Sequence, residues 1–372
     1  MKLFKIRLVL ILFAIAVISC SEKVEQIPIF NIGEAINNPA IFKAEEAIKE
    51  IKSFPLSLPP DGVPIGRVAK FYIKGDTLLI TDTSKEEIHI YSFSGGKSLY
   101  KISREGRGPE EYHGVYRTIF FNDRLYIDGP SNYFRVYDLK GNYLNTVTIN
   151  TGSKAPLHNS IPERFPLKNH KFAAYHFNDD GQVDKLITIY DADGNVSKVY
   201  PNKYLFHRKN RSHVGGFGNF YQYKDDVLFC EQSNDTTFRI TDNELVPHRI
   251  LQLDPHQRIS YEELDWGGND DKIFYYTMFE MDKYLIATHG DGLFFCDKES
   301  GRVLSYPYDR MDSFANAIFK NAVNEQYSEK FRTFLYPHNY LDAVADGSLP
   351  AELKSLNLKE NDNPVFLEIV FK

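Results

Sequence analysis

Five polar residues occupy matching places along this chain: Asp82, Asp128, His176, Glu231 and His289 each end the second apolar run of a recurring unit. Carboxylates and imidazoles are the groups that hold a hard divalent cation or pass protons. A ring of them facing one space would bind such a cation, or supply the acid and base of a metal-dependent hydrolase or lyase. The same residue types also cap turns by accepting hydrogen bonds from backbone amides, and both roles are open at these positions.

A second group lies between two near copies of that unit, in Arg104-Glu105-Gly106-Arg107-Gly108-Pro109-Glu110-Glu111-Tyr112. Gly106 and Gly108 permit positive φ, and Pro109 fixes φ and removes a donor, so the segment is a shaped loop. Arg107 presents a planar fork suited to a carboxylate, sulfate or phosphate. Its other role is to order the loop by pairing with Glu110 or with backbone.

Motifs for better-known chemistry are missing. The chain has no Gly-x-Ser-x-Gly, His-Glu-x-x-His, Walker or paired Cys-x-x-Cys pattern. Asp179-Asp180-Gly181, Asp193-Gly194-Asn195 and Asp291-Gly292 read as turn formers, and none has the spacing of an EF-hand calcium loop. The aromatic runs Phe217 to Tyr223 and Phe274-Tyr275-Tyr276 read as the starts of buried strands, although tyrosine at a rim is also a platform for sugar rings.

The elements that must carry these residues repeat. Each unit is strand, turn, strand, turn, with an apolar third strand: His89-Ile90-Tyr91, Arg135-Val136-Tyr137, Thr188-Ile189-Tyr190, Phe238-Arg239-Ile240 and Phe294-Phe295-Cys296. The central residues fall at 90, 136, 189, 239 and 295, so the spacing is 46 to 56 residues. That period, without helical crossovers, predicts an all-β six-bladed β-propeller over residues 45–372. Five blades lie between Ile65 and Tyr306. Pro364 to Phe371 supplies a strand of the sixth, completed by the N-terminal strand Ile51 to Leu58, so that pairing of the chain ends closes the ring. Asp312 to Leu335 carries apolar residues at three- and four-residue spacing, which predicts a helical insertion in the last blade, as rim packing or as a lid.

In such a ring the loops between blades and those after the second strands share one face around the channel. Arg104, Arg107, Glu110, Glu111, His113 and Arg117 are therefore expected near the channel mouth. The second strands lie one layer out from the channel wall, which favours the turn-capping role for the five polar residues.

Lys2, Lys5 and Arg7 precede the apolar run Leu8 to Ile18, a charged n-region and an h-region too short to span a membrane as a mature helix. Residues 1–19 are thus expected to be a signal peptide. Val17-Ile18-Ser19-Cys20 resembles a bacterial lipobox, which implies lipid attachment at Cys20, with residues 20–44 as a polar tether. Removing residues 1–19 takes three of 44 basic residues and none of 50 acidic ones, leaving about −9. That charge argues against nucleic acid as a partner. Cys230 and Cys296, in apolar strand-like runs, are expected to be buried thiols.

The segment Gly106 to Tyr137 resembles an NHL-type repeat, through Gly106-Arg107-Gly108-Pro109-Glu110-Glu111-Tyr112, Tyr126-Ile127-Asp128, Asn132 and Val136-Tyr137-Asp138 with Gly141. Three signals make the chain similar to the six-bladed propeller lipoproteins of Bacteroidetes. They are Phe54-Pro55-Leu56 with Ile65-Gly66-Arg67, the Gly-Pro loop, and Asp362-Asn363-Pro364-Val365-Phe366-Leu367. The resemblance implies an exported, lipid-anchored propeller of the cell envelope, on the outer membrane. Its expected role is to bind a glycan, a peptide or an envelope protein. The alternative is a hydrolase or lyase with a divalent cation in the channel.

Overall fold

A computed structural model describes residues 26–128, 133–149, 163–178, 181–206, 218–231, 233–260, 272–273, 275–323 and 330–372. The expected signal peptide, Cys20, Asn132, Asp179, Asp180, Phe217 and Phe274 lie outside the described residues. The fold is a six-bladed β-propeller. The N-terminal strands are β1 (Ile29–Asn31) and β2 (Ile48–Pro55). Blade one is β3 to β6 (Val68–Lys74, Thr77–Asp82, Glu87–Ser92, Ser98–Ile102), and blade two is β7 to β10 (Thr118–Phe121, Arg124–Asp128, Tyr133–Asp138, Tyr143–Thr148). Blade three is β11 to β14 (Arg164–Leu167, Lys171–Tyr175, Lys185–Asp191, Val196–Pro201). Blade four is β15 to β18 (Gly218–Tyr223, Asp226–Glu231, Thr236–Ile240, Leu245–Gln252), and blade five is β19 to β22 (Tyr275–Glu280, Tyr284–His289, Gly292–Asp297, Val303–Pro307). Blade six contains β23 (Phe331–Leu335) and β24 (Val365–Phe371), with β2 antiparallel to β24 so that Phe54 faces Phe366. All five expected third strands are third strands of their blades.

The core is divided among the gaps between blades, because each sheet buries both faces against its neighbours. One apolar cluster joins Ile90 and Leu79 of blade one to Phe120 and Ile127 of blade two. Another joins Phe71 and Leu78 of blade one to Phe334 and Phe366 of blade six. Cys230 and Cys296 are buried free thiols in the cluster between blades four and five.

Turns lock one blade on the next. Asp191 accepts from the amides of Asp193 and Asn195, and Gly194 turns the chain at φ +86°. A Cβ at Gly194 would sit 2.2 Å from the Thr148 carbonyl of the preceding blade, so only glycine allows that approach. Third-strand tyrosines add to the lock. Tyr91 donates to the Ser57 carbonyl and Tyr137 to the Glu110 carbonyl, each in the loop that enters its own blade. The Tyr190 hydroxyl, at the matching place, has no partner among the described residues.

Two expectations change. The helix predicted over Asp312 to Leu335 is confined to Ser313–Lys320, capped by Asp312, and Phe331 to Leu335 is strand β23. Phe331, Thr333, Phe334 and Leu335 are all buried there, so the strand lacks alternation and its aromatic spacing imitates a helical face. Among the described residues 26–44 of the predicted tether, Phe30, Ile32, Gly33, Ala35, Phe42 and Ala44 are buried. β1 adds to β18 in parallel, with Phe30 opposite Leu251, and a helix follows at Ile32–Asn37. Phe30 and Ile32 are fully buried, which a solvated linker would not do.

Candidate functional site

Each of the five second-strand residues is buried at the end of its strand, and each has its own surroundings. Asp82 is a turn cap: its carboxylate accepts from the amides of Gly66 at 2.7 Å, Arg67 at 3.1 Å and Ser84 at 2.9 Å, and from the Ser84 hydroxyl at 2.6 Å. His176 Nε2 lies 2.7 Å from the Thr188 hydroxyl, and Glu231 accepts from the Tyr175 hydroxyl at 3.1 Å. His289 stacks on Phe294 at 4.7 Å. Burial pushes both His176 and His289 down to about 4, with Lys185 and Arg164 adding to the effect at His176, so both are neutral imidazoles at pH 7. Among the described residues no three His, Cys, Asp or Glu side chains are grouped closely enough to hold a metal ion.

Two members keep unused capacity: His289 Nε2 has no hydrogen-bond partner among the described residues, and Asp128 has an oxygen to spare. Asp128 forms an ion pair with Arg164 across the gap between blades two and three, and both side chains are almost fully buried. Asp128 Oδ2 nevertheless has no hydrogen-bond partner among the described residues, and neither has Arg164 Nε. The Arg164 guanidinium also covers the Phe134 ring at 4.7 Å. Burial pushes the Asp128 carboxyl up to about 6, against the opposing pull of Arg164 and Arg117. Arg117, at the start of blade two, has Nε and Nη1 buried and unpartnered among the described residues. The structure thus brings Arg117 and Asp128, from separate sets of candidates, together with Arg164. Arg164 was not singled out from sequence: its partner belongs to a different blade, and no local motif marks it.

The Gly-Pro loop proves to be built from backbone bonds. Gly106 donates to the Tyr112 carbonyl at 2.9 Å and Tyr112 donates to the Arg104 carbonyl at 3.1 Å. Glu111 accepts from the Gly108 amide at 2.7 Å, and Arg135 Nη1 donates to the Gly108 carbonyl at 2.7 Å. The buried Tyr112 hydroxyl accepts from the Arg104 amide at 3.0 Å and donates to the Glu86 carbonyl. Among the described residues no ion pair joins Arg107 to Glu110, and Arg104, Arg107, Glu110 and His113 are exposed. Ordering falls instead to Glu111, Tyr112 and Arg135.

A cavity of about 1060 Å³ opens where the first strands of blades one to five begin, lined among others by Lys70, Arg164, Phe165, Gly218, Thr277 and Tyr336. Tyr116, 60% exposed, stands at its wall, while Arg104, Arg107, Glu110 and His113 are not part of its lining. The lining has five cationic side chains (Arg67, Lys70, Lys85, Arg164, Lys320) against three carboxylates (Glu163, Glu360, Asp362), although the chain as a whole carries −6. Lys70 reaches Glu163 at 3.3 Å. Burial opposes its charge, but Glu163, Tyr72 and Asp128 outweigh that and hold the ammonium firmly protonated. The space accommodates a ligand of several residues or sugar units.

Comparison with known proteins fixes the fold's relatives. A Bacteroides fragilis protein described as exported superposes with a TM-score of 0.69 at 15% identity, over 93% of this chain and 100% of that one. A Bacteroides vulgatus member of the DUF4221 family gives 0.53 at 12% identity, over 89% and 99%. At such identities the likeness carries the fold alone. No curated protein matches the chain. Residues 27–369 match the family described as "Domain of unknown function (DUF4934)", so nearly all of the propeller is covered and the chain belongs to that family.

Proposed function

We propose that this chain is an exported ligand-binding module of the cell envelope. Lipid on Cys20 would hold it to the outer membrane, and a glycan, a peptide or an envelope protein would be its ligand. The cavity of about 1060 Å³ at the channel mouth is the observation that carries the reading, since it combines an exposed Tyr116 ring with charged side chains of both signs. The signal-peptide pattern, the Cys20 motif and the exported description of the Bacteroides fragilis relative support the location. No grouping of side chains among the described residues favours the metal-dependent hydrolase or lyase.

Arrays of glycans and peptides probed with the full chain test the reading. Binding is expected to weaken by about tenfold or more in Tyr116→Ala, because a stacking face is lost, with the melting temperature unchanged at so exposed a site. Retention of full affinity by that variant would move the ligand away from this cavity.

A further inference from the structure

We propose, on the basis of that reading, that the cavity takes an oligosaccharide bearing a carboxylate, and that Lys70 and Arg164 receive the carboxylate with Arg117 behind them. The first observation is charge. A chain of net −6 would line a random cleft with an acidic excess, whereas this one is lined by five cations and three carboxylates. Lys85 is already committed to the Pro64 carbonyl, and Arg67 and Lys320 are exposed at the rim. Lys70 and Arg164 are the lining cations fixed in depth.

The second observation is unused hydrogen-bonding capacity. Arg117 Nε and Nη1 and Arg164 Nε are buried donors without partners among the described residues, and the unpaired groups beside Arg164 that can accept are Asp128 Oδ2 and the Tyr190 hydroxyl. Donors are in excess, and each buried unpaired donor costs about 1–3 kcal/mol unless something accepts from it. Of these residues Arg164 lines the cavity, and an incoming carboxylate there supplies an acceptor, with Arg117 and Asp128 standing behind the lining.

The third observation shows what the Lys70 position prefers. Its present partner is the Glu163 carboxylate, 32% exposed, at the end of the segment entering blade three. Glu163 occupies the place that a ligand carboxylate would take, and displacing it exchanges one charge-assisted bond for another. Tyr116 and Tyr336 line the same cavity, and a pyranose carrying a carboxylate presents both a flat C–H face and a charge from a single residue.

The experiment uses the full chain and a panel of uronate and sialylated oligosaccharides, each paired with its carboxyl methyl ester, beside sulfated and neutral sugars and acidic peptides. Binding of acid forms over their esters is expected, weakening as ionic strength rises. Lys70→Gln is expected to lose about tenfold in affinity for the acid forms with binding of the methyl esters unchanged, a split that a mere loss of stability would not give. Arg164→Lys, which keeps the charge and its pairing with Asp128, is expected to lose a similar factor because the fork is gone. Equal binding of acid and ester, unchanged affinity in Lys70→Gln, a preference for peptides, or failure of every carboxylated sugar would overturn the proposal. If neutral sugars or peptides then bind and Tyr116→Ala abolishes that binding, the cavity reading stands and only the carboxylate assignment falls. If nothing binds there, both fall.

Discussion

Two buried carboxylates, Glu280 and Asp128, stand at opposite ends of the blades, and their surroundings differ in completeness. Glu280 ends the first strand of blade five and is fully enclosed by partners. Arg249 reaches it at 2.6 and 2.8 Å, Lys298 at 2.9 Å, His248 at 3.2 Å and the Tyr221 hydroxyl at 3.2 Å. Burial would raise its pKa, yet the bond from His248 and the charges of Arg249 and Lys298 hold it down to about 2. Asp128 ends the second strand of blade two, behind the lining residue Arg164, with one ion-pair partner and an oxygen left over. The ingredients are alike, and only the count of donors on each oxygen separates a cluster that joins blades four and five from one that keeps capacity for something else. A finished network is a structural joint, whereas an unfinished one keeps hydrogen-bonding capacity in reserve.

That contrast breaks most readily at Glu280. Glu280→Gln leaves Arg249, Lys298 and His248 around a neutral amide, and a loss of about 3–5 kcal/mol is expected in denaturant unfolding at pH 7. A loss under 1 kcal/mol would remove the distinction between the clusters. Because the folded carboxyl lies near 2 and the ordinary value near 4.5, the stability Glu280 adds is complete above about pH 4.5. It fades as pH falls toward 2, and acid unfolding of the wild-type chain should show it.

Tyr221→Phe removes one donor from that carboxylate and is expected to cost about 1.5–3 kcal/mol. At Asp128 the sign reverses. Its carboxyl is raised to about 6 from 3.8, so the folded chain holds more protons than the unfolded one between these values, and stability falls as pH rises through the window. Asp128→Asn should flatten that slope, a change on the order of 1–3 kcal/mol measured between pH 4 and 7. An unaltered profile would show that another group titrates there. The smallest effect belongs to Tyr190→Phe, whose hydroxyl has no partner among the described residues: a change within about 0.5 kcal/mol is expected, against the larger cost at Tyr221.

Much of the architecture was legible because propeller strands are local. Turns such as Asp191 to Asn195 and third strands such as Thr188-Ile189-Tyr190 announce themselves within a few residues, and the period does the rest. Phe331 and Phe334 misled because a strand buried on both faces has no alternation, so three-residue spacing passes for a helix. Phe30 and Ile32 sat in a polar-looking stretch, and their burial depends on Leu251, more than two hundred residues away. The site followed the same division. Asp128 was visible by its place in the repeat, whereas the partners that make it unusual, Arg164 from the next blade and Lys70 from the previous one, meet only in the ring.

The docking of β1 on the outer edge of blade four has a geometric consequence. Under the proposed attachment at Cys20, only nine residues would run from the lipid to Ile29, a reach of about 30 Å even if fully stretched. The body could then neither roll freely nor rise far from the bilayer. Blade four would be the sector nearest the membrane, and the leash would select which side of the ring looks outward, so that the approach available to a large ligand is decided by three residues of edge strand far from any contact with it.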